Sequence, residues 1–221
     1  MREIRVFAPA KLNLYLDVLE KRPDGFHSIE TIFEKIDLKD EIIIKEKGKG
    51  LKVKASSNQC SQGKDNIAYK AAQALFIEAK IRLNLEIRIK KNIPVSAGLG
   101  GGSSNAASSL RAINELFELG ISEKRLFEIA VGIGKDVPFF MKDMPFAVAG
   151  SAGEVLKKLD LTQIFFHILI KPFIPLSTRL MYNRIDRHNF SSRPHSLKKW
   201  VTSNRADGRG KTMTRTSASR N

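Results

Sequence analysis

One cysteine, Cys60, stands in a chain of 221 residues. It has no partner for an internal disulfide and no second thiol with which to build a zinc site, so it reads as structurally neutral. No run approaches the roughly 20 uninterrupted apolar residues that a membrane span requires. The opening Met1-Arg-Glu-Ile-Arg-Val-Phe lacks the charged-then-apolar pattern of a signal peptide, so the cytoplasm is the expected location. Acidic residues are also scarce: 23 Asp and Glu face 38 Lys and Arg, a formal charge of +15.

Such an excess raises nucleic acid or an anionic surface as a partner, and its placement decides how far. From Arg187 to Asn221 nine Lys and Arg face one acid, Asp207, a net of +8 that leaves +7 for residues 1–186. In that tail the apolar residues thin to Phe190, Leu197, Trp200, Val201 and Met213 without period, and a solvated, disordered basic segment is expected. What remains is ordinary. With 42% apolar residues the chain is expected to fold as a globule of one large domain or two small ones.

Ile4 to Val18 reads as an extended chain interrupted by a turn at Ala8-Pro9-Ala10-Lys11. Arg22-Pro23-Asp24-Gly25 reads as a tight turn, since Pro presets φ and Gly tolerates a positive value. Strands are expected at Ile29 to Ile36 and at Glu41 to Ile44. Asp65-Asn66 is placed to cap a helix whose apolar stripe is Ile67, Ala71, Ala74 and Leu75. Leu83, Leu85, Ile87 and Ile89 alternate with polar residues, the period of a half-buried strand. Ala106, Ala107, Leu110, Ile113, Leu116 and Phe117 recur at helical spacing, with Gly120 to end the helix. Another helix is expected from Ser122, as cap, to about Val131. Ile164 to Ile170 has the character of a short buried strand.

Between the alternating strand and the long helix lies Pro94-Val-Ser-Ala-Gly98-Leu-Gly100-Gly101-Gly102-Ser103-Ser104-Asn105. Glycines let backbone N–H groups turn inward on an anion, and the following helix adds its positive dipole end and free N–H groups. The loop is not a Walker loop, because no Gly-Lys-Ser/Thr follows, and Ser103 stands where a dinucleotide fingerprint needs its third glycine. A flexible linker would have no use for this strand-to-helix setting, so a distinct polyphosphate loop is expected.

This loop resembles the hallmark Pro-x-x-x-Gly-Leu-Gly-Gly-Gly-Ser-Ser element of the GHMP kinases, and the resemblance covers roughly residues 1–186. It implies an α+β fold: a ribosomal S5-like N-terminal domain over residues 1–155, followed by a ferredoxin-like C-terminal domain beginning at 156–186, with 187–221 as the basic tail. It also implies ATP as co-substrate, with Pro94, Gly98, Leu99, Gly100, Gly101, Gly102, Ser103 and Ser104 around the phosphates and Asn66 and Lys91 toward the adenine. Magnesium is implied as the phosphate counterion, with no protein ligand assigned. Lys11, in Pro9-Ala10-Lys11-Leu12-Asn13, and Asp136, in Gly134-Lys135-Asp136-Val137-Pro138, match the positions of the catalytic Lys and Asp. Phosphoryl transfer to an alcohol needs a group to take the hydroxyl proton and a cation to stabilise the developing alkoxide. Taken alone, Lys11 reads as a solvated surface lysine and Asp136 as a helix N-cap with Pro in the first turn.

Asp24-Gly25-Phe26-His27, followed by Ile29-Glu30-Thr31-Ile32-Phe33, resembles the branch of the family whose alcohol carries a cytidyl diphosphate and serves the non-mevalonate route to isoprenoids. By that similarity Phe26 stacks on the cytosine, His27 bonds its polar edge, and Asn13 meets the acceptor end. Thr178 and Tyr182 match the segment that closes the cytidine pocket. Tyr182 equally suits a helix core, Asn66 an N-cap and Lys91 a solvated strand end. Gly208-Arg209-Gly210 is not the family's third glycine motif, so an incomplete C-terminal domain is expected. A catalytically inactive nucleotide-binding protein, or a nucleic-acid-binding protein acting through its tail, are the alternatives. The expected partner is a small cytidyl diphosphate, not a membrane or nucleic acid, and no residue pattern signals an oligomeric state.

Overall fold

The computed structural model describes residues 2–172 apart from 24, 26, 83, 152, 154 and 162. The expected tail at 187–221, the start of a second domain beyond 172, and Phe26, Thr178 and Tyr182 lie outside the described residues. Two long strands, β1 (Glu3–Lys21) and β2 (His27–Glu46), each contribute one part to each of two compact units. The first unit comprises Met1–Lys11 and Ile36–Asp143; the second comprises Leu12–Lys35 and the chain from Met144 onward.

In the first unit β3 (Leu51–Ala55) lies parallel to β4 (Leu85–Lys90), with Val53 opposite Ile87. A parallel pair cannot be closed by a hairpin and needs a crossover. The crossover is α1 (Ile67–Glu78). β4 then pairs antiparallel with the second half of β2, Ile42 opposite Ile89 and Ile44 opposite Ile87. Behind these strands come α2 (Gly101–Leu116), α3 (Glu123–Ile133) and the short α4 (Val137–Met141). The core is the apolar stripe of each element: Ile42, Ile44, Leu85 and Ile87 from the strands, with Leu75, Leu110 and Ile113 from the helices, all fully buried.

The expected caps are present. Asn66 Oδ1 accepts from the amide of Ala68 at 2.9 Å, and Ser122 Oγ accepts from that of Arg125 at 3.3 Å. β1 runs without the turn expected at Pro9. The Lys11 amide leaves the ladder to donate to Leu99 O at 2.9 Å. Pro9, two residues earlier, therefore turns its nitrogen to that same outer side, where a missing N–H breaks no β1–β2 bond. The two strands expected between Ile29 and Ile44 are likewise one. The charged stretch between them continues the strand because Asp40, fully buried, has its carboxylate satisfied by neighbouring donors.

In the second unit the first half of β2 pairs antiparallel with β5 (Phe146–Gly150), Thr31 opposite Ala149, and β5 with β6 (Val155–Lys158), Val148 opposite Lys157. The turn at 22–25 is present: Gly25 N donates to Arg22 O at 3.0 Å, and Gly25 adopts φ +83°. Leu14, Ile32, Phe146 and Leu159 form the core, with Tyr15 and Phe165 packed against it.

The expected buried strand from Ile164 to Ile170 is not found; the segment has no regular structure and no ladder partner among the described residues. It packs one side only. Phe165 meets Phe146 edge-on at 5.8 Å between ring centroids and His167 bonds Glu34, whereas Phe166 and Ile168 are more than nine-tenths exposed.

Candidate active site

The glycine loop sits where the chain leaves β4 and enters α2. Gly98 and Gly100 adopt φ of +74° and +68°, in the left-handed region that favours glycine. Gly100 is constrained twice, since a Cβ there would lie 2.9 Å from Lys11 Cγ and 2.9 Å from Phe140 Cζ. It is also the N-cap of α2 and offers no side-chain cap, so the amides of Gly101, Gly102 and Ser103 precede the first helical acceptor, Gly100 O, which takes its bond from Ser104 N at 2.9 Å. Three amides at the positive end of a sixteen-residue helix have the arrangement that suits an anion.

β1 brings Lys11 to this loop. Its backbone bonds Leu99, its side chain is 7% exposed, and its ammonium stands 3.6 Å from Asp136 Oδ2. Asp136 is at the N-cap of α4, with Pro138 in the first turn, as its neighbours suggest. Yet its side chain makes no capping bond. The carboxylate is a third exposed and faces Lys11 instead. A second point of convergence is Ile67, the first residue of α1: it lies 3.4 Å from the position of a Cβ on Gly102 and 3.7 Å from one on Gly134. The starts of α1 and α2 and the loop bearing Asp136 thus meet in one place.

Two residues expected toward the adenine have their polar atoms engaged within the fold. Asn66 is buried; besides its cap, its Nδ2 donates to Ser61 O at 2.7 Å. The Lys91 side chain is 5% exposed, and its ammonium is paired with Asp40 and donates to Asn105 Oδ1 at 3.1 Å. Cys60 is half-buried, with Asn66 Nδ2 3.7 Å from its sulfur. For metal, no group of three His, Cys, Asp or Glu gathers among the described residues. Ser104 Oγ in the first turn of α2 is fully buried with no hydrogen-bond partner, an oxygen suited to an ion otherwise held by phosphates.

In the second unit Asn13 Nδ2 donates to Thr31 Oγ1 at 2.8 Å, and that hydroxyl donates to Tyr15 O at 2.6 Å. The Tyr15 phenol is pushed up to about 12 by burial and by the nearby Asp17 and Glu30 carboxylates, so it stays a donor near neutrality. His27 opens β2 and is half-buried. The turn before it and the strand it opens are both tied to Ser151, the residue following β5: Arg22 Nη1 donates to Ser151 Oγ, and Ile29 N to Ser151 O at 2.7 Å. Sequence patterns gave no sign of Asp40 or Ser151, and showed Thr31 only as a member of the 29–33 segment with no role of its own, because each works through a partner far away in the chain.

Residues 66–151 match the GHMP kinases N terminal domain. A 4-diphosphocytidyl-2-C-methyl-D-erythritol kinase of Acetivibrio thermocellus is 40% identical over 194 residues, which cover 88% of this chain and 68% of that protein. The chain belongs to the 4-diphosphocytidyl-2-C-methyl-D-erythritol kinase family. The relative of that name from Geobacter metallireducens is 43% identical over 84% of this chain and 66% of its own length. This member of the family therefore spans about two thirds of the length of these curated relatives. A crystal structure of 4-(cytidine 5'-diphospho)-2C-methyl-D-erythritol kinase superposes with a TM-score of 0.68 at 35% identity, covering 81% of this chain and 63% of that one. The mevalonate kinase of Methanococcus jannaschii, 15% identical with a TM-score of 0.55 over 72% of this chain and 56% of its own, shares the GHMP kinase fold.

Proposed function

We propose that this chain transfers the γ-phosphoryl group of ATP to the 2-hydroxyl of 4-diphosphocytidyl-2-C-methyl-D-erythritol, giving the 2-phosphate and ADP. The observation that carries the reading is the Lys11–Asp136 pair, 3.6 Å apart, with Lys11 bonded through its backbone to the glycine loop. Family membership supplies the substrate class. In this reading the loop amides and the N-terminus of α2 hold the ATP phosphates. Asp136, unspent on capping, accepts the hydroxyl proton as the new oxygen–phosphorus bond forms and the bond from the γ-phosphorus to the β-phosphate oxygen breaks. Lys11 stabilises the charge gathering on the attacking oxygen and the transferred group. Bound magnesium would neutralise phosphate charge, with Ser104 the residue to meet it.

Asn13 is assigned to the acceptor alcohol, with its carboxamide oriented by Thr31, and His27, Phe26, Thr178 and Tyr182 to the cytidyl group. Asn66 and Lys91 belong to the adenine side as parts of its wall, since their polar atoms are occupied within the fold. The N-terminal and C-terminal domains of the resemblance, the ATP and magnesium requirement and a cytoplasmic location are parts of the same proposal.

ADP release by the purified chain with magnesium and ATP tests it. Release should depend on the cytidyl substrate and be absent with mevalonate or homoserine in its place. Release that any of the three alcohols supports equally, or that none supports although ATP binds, contradicts the assignment.

A further inference from the structure

Asp40 takes no part in the chemistry proposed above, yet its carboxylate is fully buried and has four donors around it. Oδ1 accepts from the amides of Asn92 and Ile93, both at 2.8 Å. Oδ2 accepts from Asn105 Nδ2 at 2.9 Å and from the Lys91 ammonium. Lys91 closes the circuit onto Asn105 Oδ1 at 3.1 Å. One carboxylate thus holds the chain just before the glycine loop, through two amides, and the helix just after it, through Asn105 in the second turn of α2.

The loop is clasped between these ties at close quarters. A Cβ on Gly101 would lie 3.2 Å from Lys91 Nζ and 3.0 Å from Ile93 Cγ2. Taking a carboxylate and an ammonium out of water is costly, and apolar side chains of similar volume often fill such a place at less cost. What an apolar pair cannot do is fix two amides and a carboxamide at set distances from one point.

We propose that Asp40 is a positioning residue for the phosphate loop: with Lys91 and Asn105 it sets the spacing between the strand that enters the loop and the helix whose N-terminus faces the phosphates. The Lys91 ammonium, held by Asp40 and Asn105, acts on the nucleotide through Gly101 and Asn105 and makes no bond to it. The inference rests on the reading of this loop as the ATP phosphate site.

The test is ATP binding by the full chain with magnesium, measured calorimetrically beside thermal unfolding and the KM of the alcohol. Losing a charge-assisted set of bonds, Asp40→Asn should weaken ATP binding about tenfold while the alcohol KM stays within about twofold. A lysine that met ATP itself would, once released from Asp40, bind as well or better. Asn105→Ala leaves the ion pair intact and should weaken ATP binding several-fold, which keeps the test decisive if Asp40→Asn does not fold. Val53→Ala, a core cavity on β3, serves as a destabilised control whose ATP affinity should hold. ATP affinity unchanged in a folded Asp40→Asn or in Asn105→Ala, or reduced as much in Val53→Ala, overturns the inference. A parent chain that binds no ATP instead removes the phosphate-loop reading on which it stands.

Discussion

Gly100 answers to backbone and neighbour at once: its φ of +68° strains any L side chain, and the space where a Cβ would go is already taken by Lys11 and Phe140. Gly98 shares only the first constraint, with open space around it. Left-handed backbone costs a side chain about 1–2 kcal/mol. Gly98→Ala should therefore lower Tm by roughly 2–8 °C in a chain of this size. Gly100→Ala should lower it further, and should also weaken ATP binding by displacing Lys11; calorimetry of both variants checks the order. Equal losses in the two would mean that the close approach to Lys11 carries no weight. The sequence made the loop legible as a phosphate element because its glycines are contiguous and stand between a strand and a helix. Apart from the family resemblance, it made Asp136 legible only as a cap, since the lysine it faces lies far off in the chain and no local spacing encodes a contact of that kind.

Elements with a cap and a long stripe were readable in advance. α1 and α3 begin within a residue or two of their expected starts because Asn66 and Ser122 mark them, whereas α2 begins at Gly101, about five residues before the Ala106 that opens its apolar stripe, because the end of the glycine loop is its first turn. β3, β5 and β6 carry four or five residues each, too few to display a period, and none was anticipated; α4 is as short and was foreshadowed only by Asp136 as its cap and Pro138 in its first turn. The segment 164–170 was misread for a different reason. A continuous apolar run suits a strand buried on both faces, whereas here only Phe165 and His167 turn inward.

That segment is anchored by His167 Nε2, 2.6 Å from Glu34 Oε2, and burial pushes the Glu34 carboxyl up from its ordinary value against the opposing pull of His167. A carboxyl raised in the folded chain contributes stability that is fully present below its unfolded value and is lost as pH rises through the folded one. Glu34→Gln removes that loss. The Tm of the variant minus that of the parent should rise between pH 5 and pH 8, as followed by circular dichroism. A difference that falls over the same range contradicts the assigned cause.

At the scale of the whole molecule, the residues assigned to phosphate binding and to proton transfer lie within one compact unit, residues 1–11 and 36–143. Asn13 and His27, assigned to the acceptor and the base, belong to the other. The excess charge of residues 187–221 lies outside the described residues, and family membership favours the kinase reading over a nucleic-acid one. No described helix is long and apolar enough to cross a membrane. The most direct test of the account is a single-turnover measurement of phosphoryl transfer by Asp136→Asn, with ATP binding followed in the same samples. Losing the proton acceptor while keeping the loop should leave ATP binding within about twofold and slow transfer by about 10²–10⁴. Transfer at the parent rate, or ATP binding lost in step with it, would contradict the division of labour between Asp136 and the glycine loop.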